Sequence, residues 1–182
     1  MSDFAVALIA AFGREPVPRN LRTEGAFERE FAIPVAIRVA QQHPDVALFI
    51  HPWSNKKCCS PTCNGPGGTG RVQGCPKCWT ASKKWGTVAA FGTKHTFDMV
   101  AKDKLKKLAV EIKLIDASGS RMPNGGIQRF LGQCALAAAM HDEVIGLCGH
   151  RGTLNEKFQT DTKAVQNWSK KQNIQLVFLR VP

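Results

Sequence analysis

Apolar and polar positions change their spacing several times along the chain, and the changes predict an ordered series of elements. Residues 23–42, TEGAFEREFAIPVAIRVAQQ, place Phe27 and Phe31 four apart, and Val35, Ile37 and Val39 continue the apolar face, so the stretch is predicted helical. Pro34 predicts a kink or a fresh start within it. Glu24 and Glu28 also lie four apart, on a face distinct from the phenylalanines. Residues 45–51, DVALFIH, predict a short strand. Three more strands are predicted over 85–91, 94–100 and 104–115, with turns at Gly92 and around Lys102 and Asp103. The breakers of 118–126, SGSRMPNGG, form a loop before a second helix, whose apolar stripe is Ile127, Leu131, Cys134 and Ala138. The apolar run 143–150 predicts a central strand, residues 160–171 a helix, and 174–181 a last strand. Helix, strand, insertion, two or three strands, helix, strand, helix, strand is the order of an α/β sandwich, with helices covering a mixed sheet.

One strand breaks its own pattern. In LAVEIKL, Val110, Ile112 and Leu114 point to one side, toward a core. Glu111 and Lys113 point to the other, together. A polar pair on an otherwise apolar strand suits either a functional site or a cross-strand surface pair on an amphipathic edge. Asp98 ends the preceding apolar run, KHTFDMV, and a hairpin would bring it beside Glu111. Two carboxylates with a backbone carbonyl supply part of an octahedral Mg²⁺ site, with Mn²⁺ as a substitute.

Five of the seven cysteines crowd into CCSPTCNGPGGTGRVQGCPKC: Cys58, Cys59, Cys63, Cys75 and Cys78. Cys75 and Cys78 form a short knuckle whose turn aims two thiolates at one ion. Cys63 with Cys58, or with Cys59 in its place, would complete a tetrahedral structural Zn²⁺ site, and His51 or His95 can replace a thiolate. Competing uses of the thiolates are a redox pair at Cys75 and Cys78 and an iron–sulfur cluster. Residues 52–84 are read as a zinc-binding insertion within a single domain, 1–182. Cys134 and Cys148, in apolar surroundings, are expected to be small core residues.

Composition sharpens this picture. The 182 residues carry 25 Lys and Arg against 14 Asp and Glu, a formal charge of +11. A zinc ion held by four thiolates would bring the total nearer about +9. Between Asp45 and Asp98 no acidic residue occurs in 52 positions, while Lys56, Lys57, Arg71, Lys77, Lys83, Lys84 and Lys94 all lie there. A one-sign segment in a mixed chain is expected to face phosphates. With no tyrosine present, base stacking would fall to Phe, Trp or His. No stretch reaches about 18 uncharged apolar residues, the length expected of a membrane span. The apolar N-terminal run has no basic start and an early Asp3, a poor secretory signal, so a cytoplasmic location is expected.

Asp98, a gap of twelve residues, then Glu111-Ile112-Lys113 resembles the PD-(D/E)xK, or restriction-endonuclease-like, nuclease superfamily. The resemblance covers most of residues 23–149, interrupted by the cysteine segment, and Phe97 stands where that family has proline. It implies a helix-strand-strand-strand-helix-strand core and metal-dependent phosphodiester hydrolysis. It also implies Asp98 and Glu111 as the carboxylates holding Mg²⁺, and Lys113 as the catalytic lysine. A glutamate of the first helix often joins the site, a position that Glu28 or Glu24 would fill. A polar residue of the later helix often supports it, with Gln128 the leading candidate and Gln133 the lesser one. His150, Arg121 and Arg129 are further candidates for phosphate contacts.

The expected function is therefore a Mg²⁺-dependent DNA endonuclease acting on duplex or branched DNA, and a homodimer if it cuts two strands. The alternatives are a catalytically inactive, zinc-containing nucleic-acid-binding protein and a zinc-stabilised protein-interaction domain.

Overall fold

A computed structural model of the chain describes residues 1–50, 72–73, 87–90, 93–116, 124–152 and 156–182. The cysteines of the proposed zinc site, His51, Arg121 and every basic residue of the acid-free segment but Lys94 fall outside the described residues.

The first element is a helix that the apolar spacing of residues 3–14 encodes. α1 (Asp3–Arg14) buries Phe4, Leu8 and Phe12, each four residues on from the last. Ser2 caps it, accepting from the Ala5 N–H at 3.3 Å, with Asp3 in the first turn and Arg14 in the last, as the helix dipole favours.

The predicted helix over 23–42 is one continuous run with a widened turn inside it. Thr23 caps α2 (Glu24–Phe27) by accepting from the Ala26 N–H at 3.1 Å. A π-helical segment, Glu28–Ala32, follows, and α3 (Ile33–Gln42) continues from it. The Ile33 N–H reaches back five residues to the Glu28 carbonyl. Pro34, in the first turn of α3, lacks the N–H that a regular turn would send back to Glu30, and the wide turn lies just before it.

The strands are β1 (Ala47–Ile50), β2 (Val72–Gln73), β3 (Thr87–Ala90), β4 (Thr93–Thr96), β5 (Met99–Lys102), β6 (Lys107–Asp116), β7 (Glu143–Arg151) and β8 (Ile174–Arg180). Six of them form one sheet in the order β2-β1-β5-β6-β7-β8. β6, β7 and β8 run parallel, and β5 is antiparallel to both of its neighbours, β1 and β6. The single strand predicted over 94–100 is two strands in different sheets. Among the described residues β4 pairs with β3 alone, antiparallel in a separate two-stranded sheet, and Phe97 and Asp98 separate it from β5. The break comes where Phe97 turns its ring into the core, fully buried.

Among the described residues, two further helices follow, α4 (Asn124–Ala138) and α5 (Glu156–Lys171). Strand alternation divides the core in two. Leu48, Ile50, Val110, Ile112 and Leu147 pack against α1 to α3. Phe49, Ala109, Ile115, Val144 and Cys148 face α4 and α5. The result is a mixed α/β fold whose central sheet has helices on both sides. Among the described residues, no helix is long and apolar enough to cross a membrane.

Candidate active site

The site grows from a hairpin that stops pairing early. β5 and β6 are in register from Lys102 opposite Lys107 to Met99 opposite Val110. Beyond Val110 the β6 edge continues without β5, and the backbone N–H groups that would face it need other partners. Carboxylates supply them. Asp98 Oδ2 accepts from the Ile112 N–H at 2.7 Å, and Glu24 Oε2 from the Leu114 N–H at 3.4 Å. The same Glu24 oxygen lies 2.7 Å from the Lys113 ammonium.

Alternation along β6 then sends Val110, Ile112 and Leu114 into the core under α1 to α3. Glu111 and Lys113 line a cavity of about 220 Å³ together with Asp98, Glu24 and His95. Arg129 and Gln133, one turn apart on α4, close its other wall. Room remains for several waters at about 30 Å³ each.

Charge in this space is unbalanced. Asp98 is 8% exposed and Glu111 and Glu28 are each 2% exposed. Burial pushes the Asp98 carboxyl well above its ordinary value, with the nearby Glu111 adding to the rise and the Ile112 N–H opposing it. Burial does the same to Glu111, reinforced by Glu24 and Glu28 and opposed by Lys113. Glu28 lies behind the cavity on the π-helical segment and is raised to about 8, first by burial and then by Asp98 and Glu24. Four acids thus share few cations, a strain relieved by protons or by a metal ion.

His95 sits with Nε2 at 2.9 Å from Glu111 Oε1. Burial and then Arg129 pull its basicity down while Glu111 is pushed up, so both partners are driven toward their uncharged forms. Either the imidazole N–H donates to the carboxylate, or the carboxylic acid donates to the ring.

The sequence-derived residues divide as follows. Asp98, Glu111 and Lys113 share the cavity, and Glu24 rather than Glu28 lines it. On α4, Gln133 lines the cavity, whereas Gln128, the leading candidate, is exposed and not among the lining residues. The reason is helical phase. α4 fully buries Phe130, Cys134 and Ala137, whereas of the expected stripe only Cys134 is fully buried, and Ile127, Leu131 and Ala138 pack partly buried at the edge of the same cluster. At 100° per residue the buried face is turned by about 60°, which leaves Gln133 about 70° from its centre and Gln128 about 150° from it. The four-residue spacing of Arg129 and Gln133 was the signal that could have identified this wall. His150 is a buried residue of β7, and Cys134 and Cys148 are buried free thiols. His95, a candidate substitute zinc ligand by sequence, has its ring nitrogen on Glu111.

Among the described residues, no three His, Cys, Asp or Glu side chains converge as a metal-ligating group. Each acid of the cavity is turned to a protein partner: Asp98 to a backbone N–H, Glu111 to His95, and Glu24 to Lys113. The donors are nonetheless carboxylate oxygens, the chemistry that suits a hard divalent cation. Compared with protein-family models, with curated proteins and with solved structures, the chain matches none.

Proposed function

We propose that the chain is a metal-dependent deoxyribonuclease of the PD-(D/E)xK type, hydrolysing DNA phosphodiester bonds at Asp98, Glu111 and Lys113. The observation that carries the reading is the opening of the β5–β6 hairpin. It puts a carboxylate from before β5 and the Glu-x-Lys pair of β6 around one cavity. The element order from α2 to β7 supports it in outline: the resemblance implies helix, three strands, helix and strand, and β1, β5 and β6 fill the strand places, with the two-residue β2 a fourth strand at the sheet edge.

Asp98 and Glu111 fit the role of ligands to Mg²⁺ or Mn²⁺, because burial leaves their charges costly until a cation compensates them. Once bound there, such an ion would supply a water of lowered pKa and neutralise charge on the phosphoryl oxygens. Lys113 would orient the attacking water and offset the same growing charge, after exchanging Glu24 for the substrate. Arg129 and Gln133 stand on the opposite wall, where they can hold a phosphate by charge and by amide N–H. Glu28 would act from behind, holding a proton or releasing it as charge in the cavity changes. One such site per chain cuts one strand, so double-strand cleavage would take a homodimer. A structural Zn²⁺ on Cys58 or Cys59, Cys63, Cys75 and Cys78 belongs to the same proposal.

The test is cleavage of linear duplex, single-stranded, branched DNA and RNA with and without Mg²⁺ or Mn²⁺. Asp98→Asn, Glu111→Gln and Lys113→Met should each reduce metal-dependent DNA cleavage by at least about 100-fold, with circular dichroism unchanged. Wild-type rates in all three variants would defeat the assignment. Metal analysis after preparation without chelator tests the zinc.

A second reading has its own observation. Every acid of the cavity already has a protein partner, which favours a catalytically inactive nucleic-acid-binding protein. It predicts salt-sensitive DNA binding that Asp98→Asn and Glu111→Gln leave unchanged, and no cleavage with any metal.

A further inference from the structure

We propose that His95 is a positioning residue for Glu111, fixing the carboxylate so that one oxygen is presented to the divalent cation. The inference rests on the reading of Asp98 and Glu111 as cation ligands.

Among the described residues, Glu111 has little else to hold it. Its partner in register on β7 is Gly146, which offers no side chain, and β5 has already left the β6 edge. A Cβ at Gly146 would come within 2.8 Å of Phe130 and 2.9 Å of the Cys134 sulfur, so no larger residue could support Glu111 from there. What reaches the carboxylate is His95, with Nε2 at 2.9 Å from Oε1.

The imidazole is itself held. Its ring meets the Phe97 ring edge-on, with centroids 5.2 Å apart and planes at 76°. Phe97 is fully buried and meets His141 in the same manner, at 4.9 Å and 88°. A chain of three rings therefore ties the β3–β4 hairpin to the core and fixes where the imidazole nitrogen stands. With Oε1 engaged by His95, Oε2 is the oxygen left for the cation. Hydrogen bonds of this kind set ligand orientation, and their loss typically costs about 10- to 100-fold in metal affinity.

The experiment is a Mn²⁺ titration read by the free-ion electron paramagnetic resonance signal. It compares wild type, His95→Ala, His95→Gln, His95→Asn and Glu111→Gln, with kcat and KM for DNA cleavage and zinc content measured alongside. His95→Ala should weaken Mn²⁺ binding by about 10- to 100-fold. His95→Gln should recover most of it, because its amide nitrogen takes the place of the ring Nε2. His95→Asn, equally polar but shorter, should resemble alanine, and kcat should fall more than KM rises. The glutamine and asparagine pair keeps the test decisive if the alanine variant does not fold.

Three results would overturn the proposal alone: wild-type Mn²⁺ affinity in His95→Ala and His95→Asn while Glu111→Gln loses it; tighter binding in those variants, which would make His95 a competitor of the ion; or a loss of zinc in them, which would place His95 with the cysteines. If Glu111→Gln binds Mn²⁺ as wild type does, the reading of the site fails and the role of His95 falls with it.

Discussion

Replacing Glu28 with glutamine removes an ionisable group while keeping the shape of a side chain that is only 2% exposed. Its carboxyl is raised from an ordinary 4.5 to about 8 in the folded protein, chiefly by burial and then by Asp98 and Glu24. Between those two pH values the native state holds a proton that the unfolded chain releases. Stability from this group is therefore complete below pH 4.5 and is lost as pH rises through 8. Each pH unit in the window is worth about 1.4 kcal/mol, giving a ceiling of about 5 kcal/mol. Relaxation of the surroundings lowers such burial penalties in real proteins, so about 2 to 3 kcal/mol is the expected effect. Glu28→Gln should match wild type near pH 4.5, gain on it steadily from pH 5 to 8, and hold a constant lead above that. Urea midpoints at half-unit pH intervals, with unchanged slopes, would measure the difference. A lead that does not vary with pH would refute the reasoning. So would a wild type that gains on the variant as pH rises, since Glu28 would then be ionised and paired, with Arg29 the nearest partner by charge.

Mg²⁺ at about 100 times its dissociation constant should stabilise the wild type by about 2.7 kcal/mol in thermal unfolding, an increment that Asp98→Asn should abolish. Equal stabilisation of both proteins would remove Asp98 from the ion. Gln133→Ala should slow DNA cleavage by roughly tenfold, whereas Gln128→Ala, on the exposed side of α4, should not; steady-state kinetics separates them, and the reverse order would refute the helical phase. Gly149→Ala would place a Cβ 2.9 Å from the Phe27 ring and 3.1 Å from Leu114. It should cost about 1 to 3 kcal/mol in urea unfolding, and an unchanged midpoint would show that Phe27 moves aside freely.

Alternation along β6 needed nothing beyond the sequence, because a period of two puts Val110, Ile112 and Leu114 on a single face whatever covers the other. That period also placed Glu111 and Lys113 together. The break at Phe97 and Asp98 was not legible, since 94–100 is uniformly strand-like and only tertiary packing turns Phe97 into the core. Choosing between Glu24 and Glu28 needed the width of the turn that follows them, and choosing between Gln128 and Gln133 needed the docking angle of α4. Small residues on both sides of that helix allow two stripes, so its composition did not favour the correct one. α1 is a different case: its apolar run has the composition of a leader as well as of a helix, and the four-residue spacing of Phe4, Leu8 and Phe12 is what marks the helix.

The π-helical segment at Glu28–Ala32 amounts to one residue more than a regular helix would use over that span. That extra residue is absorbed in the wide turn, so α2 and α3 keep the phase of an unbroken helix one residue shorter. Deleting one residue there should leave Glu24 on Lys113 and the Leu114 N–H, and Phe27 against Gly149. A deletion in the regular turns of α3 has nothing to absorb it and would rotate one part of the run against the other by about 100°. The wide turn is thus the place in this run where the chain tolerates losing a codon.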